Sequence, residues 1–277
     1  MSGKLSDNQL EYLIKDSKNR LSTSLDELDT LINTTPRYLV EMYIANHYGN
    51  REEIAYQCYH SNRIEGSVVT LSDTDRILSG QTIQNDKYTP KDIHEVAGFI
   101  NAYKRSMRYM TTSLMEVPII LDLHKALMWY IDKNIAGVYR TGGATIYGKE
   151  DFIKFPHPKL IDELLNQAVR KYNAGVMSGH ALFEACKFKV NFINIHPFSD
   201  GNGRTSRIIL NCMLMANGMI PIVIKDNQRI GYKRAMQVGY QCMAQKIPNG
   251  YLPLLGIVVD SLISRYTNIQ RKSIQMY

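Results

Sequence analysis

Ile195-His196-Pro197-Phe198-Ser199-Asp200-Gly201-Asn202-Gly203-Arg204-Thr205-Ser206-Arg207 gathers an imidazole, a carboxylate, a Gly-Asn-Gly turn and two guanidinium groups into one short stretch. Glycine tolerates the positive φ angles of an anion-binding nest, so the backbone around Gly201 and Gly203 can approach a phosphate and aim N–H groups at its oxygens. Beyond Arg204, the residues Ile208, Ile209, Cys212 and Met213 recur at the spacing of one helix face. The nest therefore opens a helix, where unpaired N–H groups and the macrodipole favour an anion.

Each residue type here has a physical task. His196 is the side chain whose ordinary pKa lies near neutrality, so it can accept a proton from an attacking hydroxyl. Pro197 biases it toward extended backbone and so toward a loop. Asp200 offers hard carboxylate oxygen, which suits Mg2+ bridged to nucleotide phosphates. Arg204 and Arg207, three apart, share a helix face and can fork onto phosphate oxygens.

Residues His196 to Arg207 match the Fic (Fido) family motif H-P-F-x-[DE]-G-N-G-R-x-x-R at every specified position, and the chain resembles that family. The resemblance implies a mainly α fold, a Fic-type helical bundle with a small β-hairpin flap. It further implies transfer of AMP from ATP to a hydroxyl side chain of a protein, with His196 as base and Asp200 as Mg2+ ligand. Gly201, Asn202 and Gly203 would form the anion hole, and Arg204 and Arg207 would hold the β- and γ-phosphates. Tyr232 corresponds either to an adenine-contacting tyrosine of some relatives or to a plain amphipathic-helix tyrosine.

Far upstream, Ser61-Asn62-Arg63-Ile64-Glu65-Gly66 is similar to the family's inhibitory motif [ST]-x-x-x-E-[GN]. Ser61 and Glu65 lie on one helix face, and Gly66 suits a helix end. By itself the pattern also describes an ordinary surface helix end. The resemblance implies that Glu65 pairs with Arg207 and takes the place of the γ-phosphate. Two directions of reaction stay open: an adenylyltransferase held back by Glu65, or a deAMPylase in which Glu65 orients water.

Between the two motifs, Gly137-Val138-Tyr139-Arg140, Thr145-Ile146-Tyr147-Gly148 and Phe155-Pro156-His157-Pro158 carry turn residues and little helical periodicity. This stretch resembles the flap, in which Thr145, Ile146 and Tyr147 would hold a target segment by strand-like pairing. An ordinary connecting hairpin is the other reading. His157 reads as a turn residue.

The remainder reads as helices over 7–34, 36–48, 50–65, 91–115, 118–130, 158–174, 179–194, 203–217, 228–245 and 250–272. Tyr103, Tyr109, Tyr130 and Tyr240 fall within these patterns and read as core-edge residues. We divide the chain into an N-terminal helical region, 1–89, carrying the inhibitory helix, and a Fic core, 90–277, with the Fido domain at 118–257. Cys58, Cys186, Cys212 and Cys242 are widely spaced in apolar contexts, which points to reduced core thiols. Tyr251 to Ile263 is too short to span a membrane and contains Pro253 and Asp260. With a polar start that lacks a signal-peptide core, the expectation is a cytoplasmic protein. A formal charge of +7 in 277 residues invites a nucleic-acid-binding regulator. The basic residues are spread out and no stacking platform accompanies them, so nucleic acid is a poor candidate partner. The expected partners are ATP and an unidentified protein target; self-modification and a homo-oligomer are compatible with these residues.

Overall fold

The computed structural model describes residues 4–47, 49–83, 87–112, 114–147 and 152–274. Among them run eleven α-helices: α1 Asp7–Thr34, α2 Arg37–His47, α3 Arg51–Glu65, α4 Leu71–Leu78, α5 Pro90–Ser106, α6 Val117–Met128, α7 Ile161–Met177, α8 Ala181–Ile195, α9 Asn202–Ala216, α10 Arg229–Gln245 and α11 Leu252–Ile274. Two short strands, β1 Thr145–Tyr147 and β2 Phe152–Lys154, pair antiparallel with Ile146 opposite Ile153.

Helix starts follow local chemistry. Ser6 and Gln9 form a capping box at α1, and Thr89 and Asp92 form another at α5, where Pro90 takes the first position that needs no N–H. Gly66 stops α3 in the left-handed region at φ 108°.

Three expectations shift. The α5 helix ends at Ser106, not at Met115, and the chain turns through a 3-10 segment at Met107–Tyr109. There Ser106 Oγ donates back to the Tyr103 carbonyl, while Arg105 and Tyr109 both reach Asp122 on α6, so tertiary bonds redirect the last turn. Pro158–Leu160 form a 3-10 turn before α7, and His157 accepts from Lys159 N–H there. Helix α4 was not foreseen, although Thr70 caps it by accepting from Asp73 N–H, a legible signal.

Helix α9 lies at the centre, packed by α3, α5, α6 and α8. It is buried nearly all round from Asn202 to Met215, as expected of a helix with no solvent face. One contiguous apolar core runs from Leu21 and Leu28 of α1, which packs along α11, through α9 to Tyr266. Tyr103 and Tyr240 lie inside the core and not at its edge, whereas Tyr130 is exposed. All four cysteines are free and buried. No described helix is long and apolar enough to cross a membrane.

Candidate active site

His196 closes α8 in the left-handed region, φ 50° and ψ 60°, with its N–H on the Phe192 carbonyl. That differs from the extended backbone expected before Pro197. Proline disfavours the right-handed helical region for its predecessor, and the left-handed conformation of a helix end prevails here over the extended one. Such a conformation costs about 1–2 kcal/mol for a residue with a Cβ. It is held by Arg140, whose Nε donates to the His196 carbonyl at 2.7 Å. The imidazole lies flat on the Phe155 ring, centroids 4.1 Å apart and 12° between planes. Nδ1 is buried and has no hydrogen-bond partner among the described residues. Burial, helped by the Arg140 cation, pushes the imidazole pKa down to about 4 against the pull of Ile193, Asp200 and Glu65. At neutral pH the ring is therefore unprotonated and able to accept.

Gly201 precedes α9 at φ 77°, and a Cβ there would lie 2.9 Å from Met128 Sδ and 3.3 Å from His124 Nε2. Both backbone and space require glycine. The N–H groups of Asn202, Gly203 and Arg204 form the first turn of α9 and have no intrahelical acceptor. The Asn202 side chain braces the loop, accepting from Phe198 N–H at 3.0 Å and donating to the Phe198 carbonyl at 2.7 Å. Asp200 is half exposed, and one of its oxygens accepts from Gly201 N–H at 2.6 Å. Behind it stands His124 of α6, fully buried and stacked on Phe198 with centroids 3.5 Å apart. Gly137 N–H donates to His124 Nδ1 at 3.0 Å, so Nε2 carries the proton and donates to the Asp200 carbonyl at 3.0 Å. Burial holds His124 neutral, its pKa pushed down to about 4.

The two arginines are received by different carboxylates. Arg207 Nη2 donates to Glu65 Oε1 at 2.8 Å and to the Ser61 carbonyl at 2.9 Å, while its Nε donates to Ser61 Oγ at 2.8 Å. Burial raises the Glu65 carboxyl, but Arg207, with Arg204 and Lys233, outweighs it and the net shift is downward. Glu65 Oε1 also packs against Gly203, where a Cβ would lie 2.3 Å from it. Arg204 is buried, with Nη1 3.5 Å from Glu95 of α5 and Nη2 3.4 Å from Asp200. Its Nε and Nη1 have no hydrogen-bond partner among the described residues. The structure thus brings His196, Asp200, Gly201, Asn202, Gly203, Arg204, Arg207, Ser61 and Glu65 together around the start of α9.

Tyr232 is buried next to this group, with Arg207 Cζ 5.9 Å and Lys189 Nζ 5.5 Å from its ring centre. Lys189 is 1% exposed and donates to Ser206 Oγ at 2.7 Å. Burial pushes the Lys189 pKa down. Burial would raise the Tyr232 phenol, yet Lys189 and Arg207 outweigh it and pull it below its ordinary value.

The backbone of Thr145, Ile146 and Tyr147 forms β1; their side chains, and Gly148, lie outside the described part of the molecule. Sequence reasoning missed Glu95, His124, Arg140 and Lys189 as neighbours of the site. For Arg140 a signal existed in its place beside the flap stretch; for the others only the packing of α5, α6 and α8 on α9 reveals it.

Residues 114–214 match the Fic/DOC family. The chain is 31% identical over 188 residues to protein adenylyltransferase Fic of Drosophila erecta, an alignment covering 66% of this chain and 36% of that protein. The Drosophila melanogaster protein of the same name gives 30% over the same length. The chain thus spans only 36% of the length of its Drosophila erecta relative. Among solved structures, a Fic domain containing signaling protein from Bacteroides thetaiotaomicron is similar at a TM-score of 0.72 and 20% identity, over 90% of this chain and 94% of that one. Fic-1 (aa134–508) from C. elegans is similar at a TM-score of 0.70 and 21% identity, over 96% of this chain and 76% of that one. At these identities the likeness to the solved structures concerns the fold.

Proposed function

The chain carries a Fic/DOC-family domain over residues 114–214, and on that premise we propose that it is a protein adenylyltransferase, moving AMP from ATP to a hydroxyl side chain of a target protein. The observation that carries this reading is the meeting, around one helix end, of a neutral imidazole, a half-exposed carboxylate, the uncapped N-terminus of α9 and two buried guanidinium groups. Positioning and charge neutralisation dominate transfers at phosphorus, and these groups supply both.

In this reading the target hydroxyl gives its proton to His196 Nε2, because Nδ1 is buried away from solvent. The oxygen bonds to the α-phosphorus, the bond to the β-phosphate oxygen breaks, and pyrophosphate leaves. Arrival of the triphosphate places negative charge beside the imidazole and raises its basicity when a proton must be taken. The first-turn N–H groups of α9, with Arg204 and Arg207, receive the phosphate oxygens.

The site fits Mg2+. One carboxylate, Asp200, is half exposed and no cluster of three or more acidic, His or Cys ligands exists among the described residues. A cation that keeps its waters and shares its coordination with substrate phosphates suits that sparse set. Held by Asp200, it would neutralise phosphate charge.

We assign residues 1–89 to a helical region carrying the inhibitory helix α3, and 90–277 to the catalytic core. The apolar core is continuous across that boundary. The Glu65–Arg207 pair supports autoinhibition, since it takes the guanidinium and the space that a terminal phosphate needs. The same carboxylate, 36% exposed and facing the nest, is also placed to orient a water, which favours removal of AMP as a second reading. Four buried thiols fit a reducing compartment such as the cytoplasm.

The test uses the Glu65→Gly protein with ATP labelled at the α- or at the γ-phosphate. AMP transfer leaves the α label and not the γ label on protein, including on the enzyme itself. His196→Ala in that background should lose about 10²–10⁴ in rate with nucleotide binding retained, because it removes a base and no phosphate contact. Retention of the γ label, or near-normal transfer by a folded His196→Ala protein, rejects the proposal.

A further inference from the structure

We propose that Arg140 is a positioning residue that locks the stem of the β1–β2 hairpin to the carbonyl end of α8, so that His196 and the segment presented by the hairpin keep a fixed relation; this rests on the adenylyltransferase reading of the site. Arg140 is 4% exposed and no carboxylate pairs with it among the described residues. Among the described residues, every hydrogen bond of its guanidinium goes to a backbone carbonyl. Nε donates to His196 at 2.7 Å, Nη1 to Gly142 at 2.9 Å, and Nη2 to Pro156 at 2.6 Å and Ile195 at 3.4 Å. Its own N–H adds a bond to the Pro197 carbonyl at 2.9 Å.

These acceptors fall into two groups. Ile195 and His196 end α8, whose last carbonyls lack helical donors and whose dipole favours a cation. Gly142 and Pro156 flank the hairpin, whose mouth is closed by the bond from Phe155 N–H to the Ala144 carbonyl at 3.1 Å. The adjacent Phe155 ring then lies on the His196 imidazole. The base is therefore gripped twice from the hairpin stem, at its carbonyl through Arg140 and at its ring through Phe155. A planar fork with five donors can serve carbonyls on two segments at once; a lysine ammonium cannot reproduce that geometry.

The consequence is a split between chemistry and nucleotide binding. Arg140 touches no residue assigned to the phosphates, while a displacement of about 1 Å between base and acceptor can lower turnover on the order of 10²-fold. Arg140→Lys and Arg140→Gln, each in the Glu65→Gly background, should lower kcat for AMP incorporation at least tenfold while KM for ATP stays within about twofold. Amide hydrogen exchange supplies the second readout. The Phe155 and His196 N–H groups should exchange at least tenfold faster in both variants, and the Leu123 amide of α6 should not change. If the glutamine variant does not fold, the lysine variant, which keeps a cation at the helix end, decides the matter.

Unchanged kcat in Arg140→Lys, or unchanged exchange at Phe155 and His196, overturns the proposal, as does an equal loss through KM for ATP alone. Should the Glu65→Gly parent transfer no AMP while the two amides open as expected, the clamp stands and the adenylyltransferase reading falls.

Discussion

Replacing Glu65 by glycine should raise AMP incorporation about 10- to 30-fold at subsaturating ATP. The carboxylate accepts from Arg207 Nη2 at 2.8 Å, and its Oε1 sits against Gly203 at the mouth of the anion nest. Hydrogen bonds to charged groups are worth about 1.5–3 kcal/mol. The Glu65 side chain is 36% exposed, so solvent screening puts this one in the lower half of that range, about 1.5–2 kcal/mol. In the proposed reading ATP displaces this interaction to reach Arg207, and each 1.4 kcal/mol corresponds to about tenfold in rate. The assay is incorporation of α-labelled AMP into the enzyme and into a lysate, with wild type and variant matched in ATP and Mg2+. A Glu65→Gln protein separates charge from space: its amide still occupies the nest but competes less well for a guanidinium, so it should fall between the other two. The glycine itself destabilises the last turn of α3 by up to about 1 kcal/mol, so melting temperatures must accompany the rates. A folded Glu65→Gly protein with wild-type turnover refutes the argument that this ion pair blocks the phosphate site. A variant that instead loses removal of AMP from a modified target makes the reverse reaction the principal one.

Asp200→Ala should abolish the Mg2+ dependence of AMP transfer and lower the rate by about 10² or more, read from a Mg2+ titration; an unchanged titration excludes Asp200 as the ligand. Gly201→Ala should destabilise the fold by about 1–3 kcal/mol, because a Cβ at φ 77° is strained and meets Met128 Sδ at 2.9 Å. Denaturant midpoints that match wild type would contradict it. Acid should unfold the protein through its buried histidines. His47 and His124 are held neutral by burial, with pKa values lowered from 6.5 to about 3 and about 4. The unfolded chain therefore binds more protons below pH 6.5, and stability falls as pH drops from there toward the folded values. By pH 4.5 the loss is about 2–3 kcal/mol for each, a large share of an ordinary folding free energy. A thermal midpoint that stays flat between pH 7 and pH 4.5 would show that these rings are not held neutral.

What the sequence determined by itself was whatever a short segment can dictate. Capping residues such as Thr89 with Asp92, the glycine stop at Gly66 and the apolar spacing of α9 act over one or two turns, so they set most helix limits without reference to the rest of the chain. The anion nest and the residues from His196 to Arg207 were legible for the same reason, since they lie on one loop and the helix it opens. Even α4 was announced locally, by Thr70 capping Asp73. Only the tertiary structure decided what meets across the chain. Arg207 and Glu65 lie 142 positions apart, and Arg140 and His196 lie 56 apart, yet each pair shares a hydrogen bond. Glu95 behind Arg204, His124 behind Asp200 and Lys189 beside Tyr232 carry no local pattern that marks them. Their roles arise because α9 is buried on every side. Glu95 meets the Arg204 guanidinium, Lys189 the Ser206 hydroxyl and His124 the Asp200 carbonyl, because a buried polar group must find its partner inside the protein.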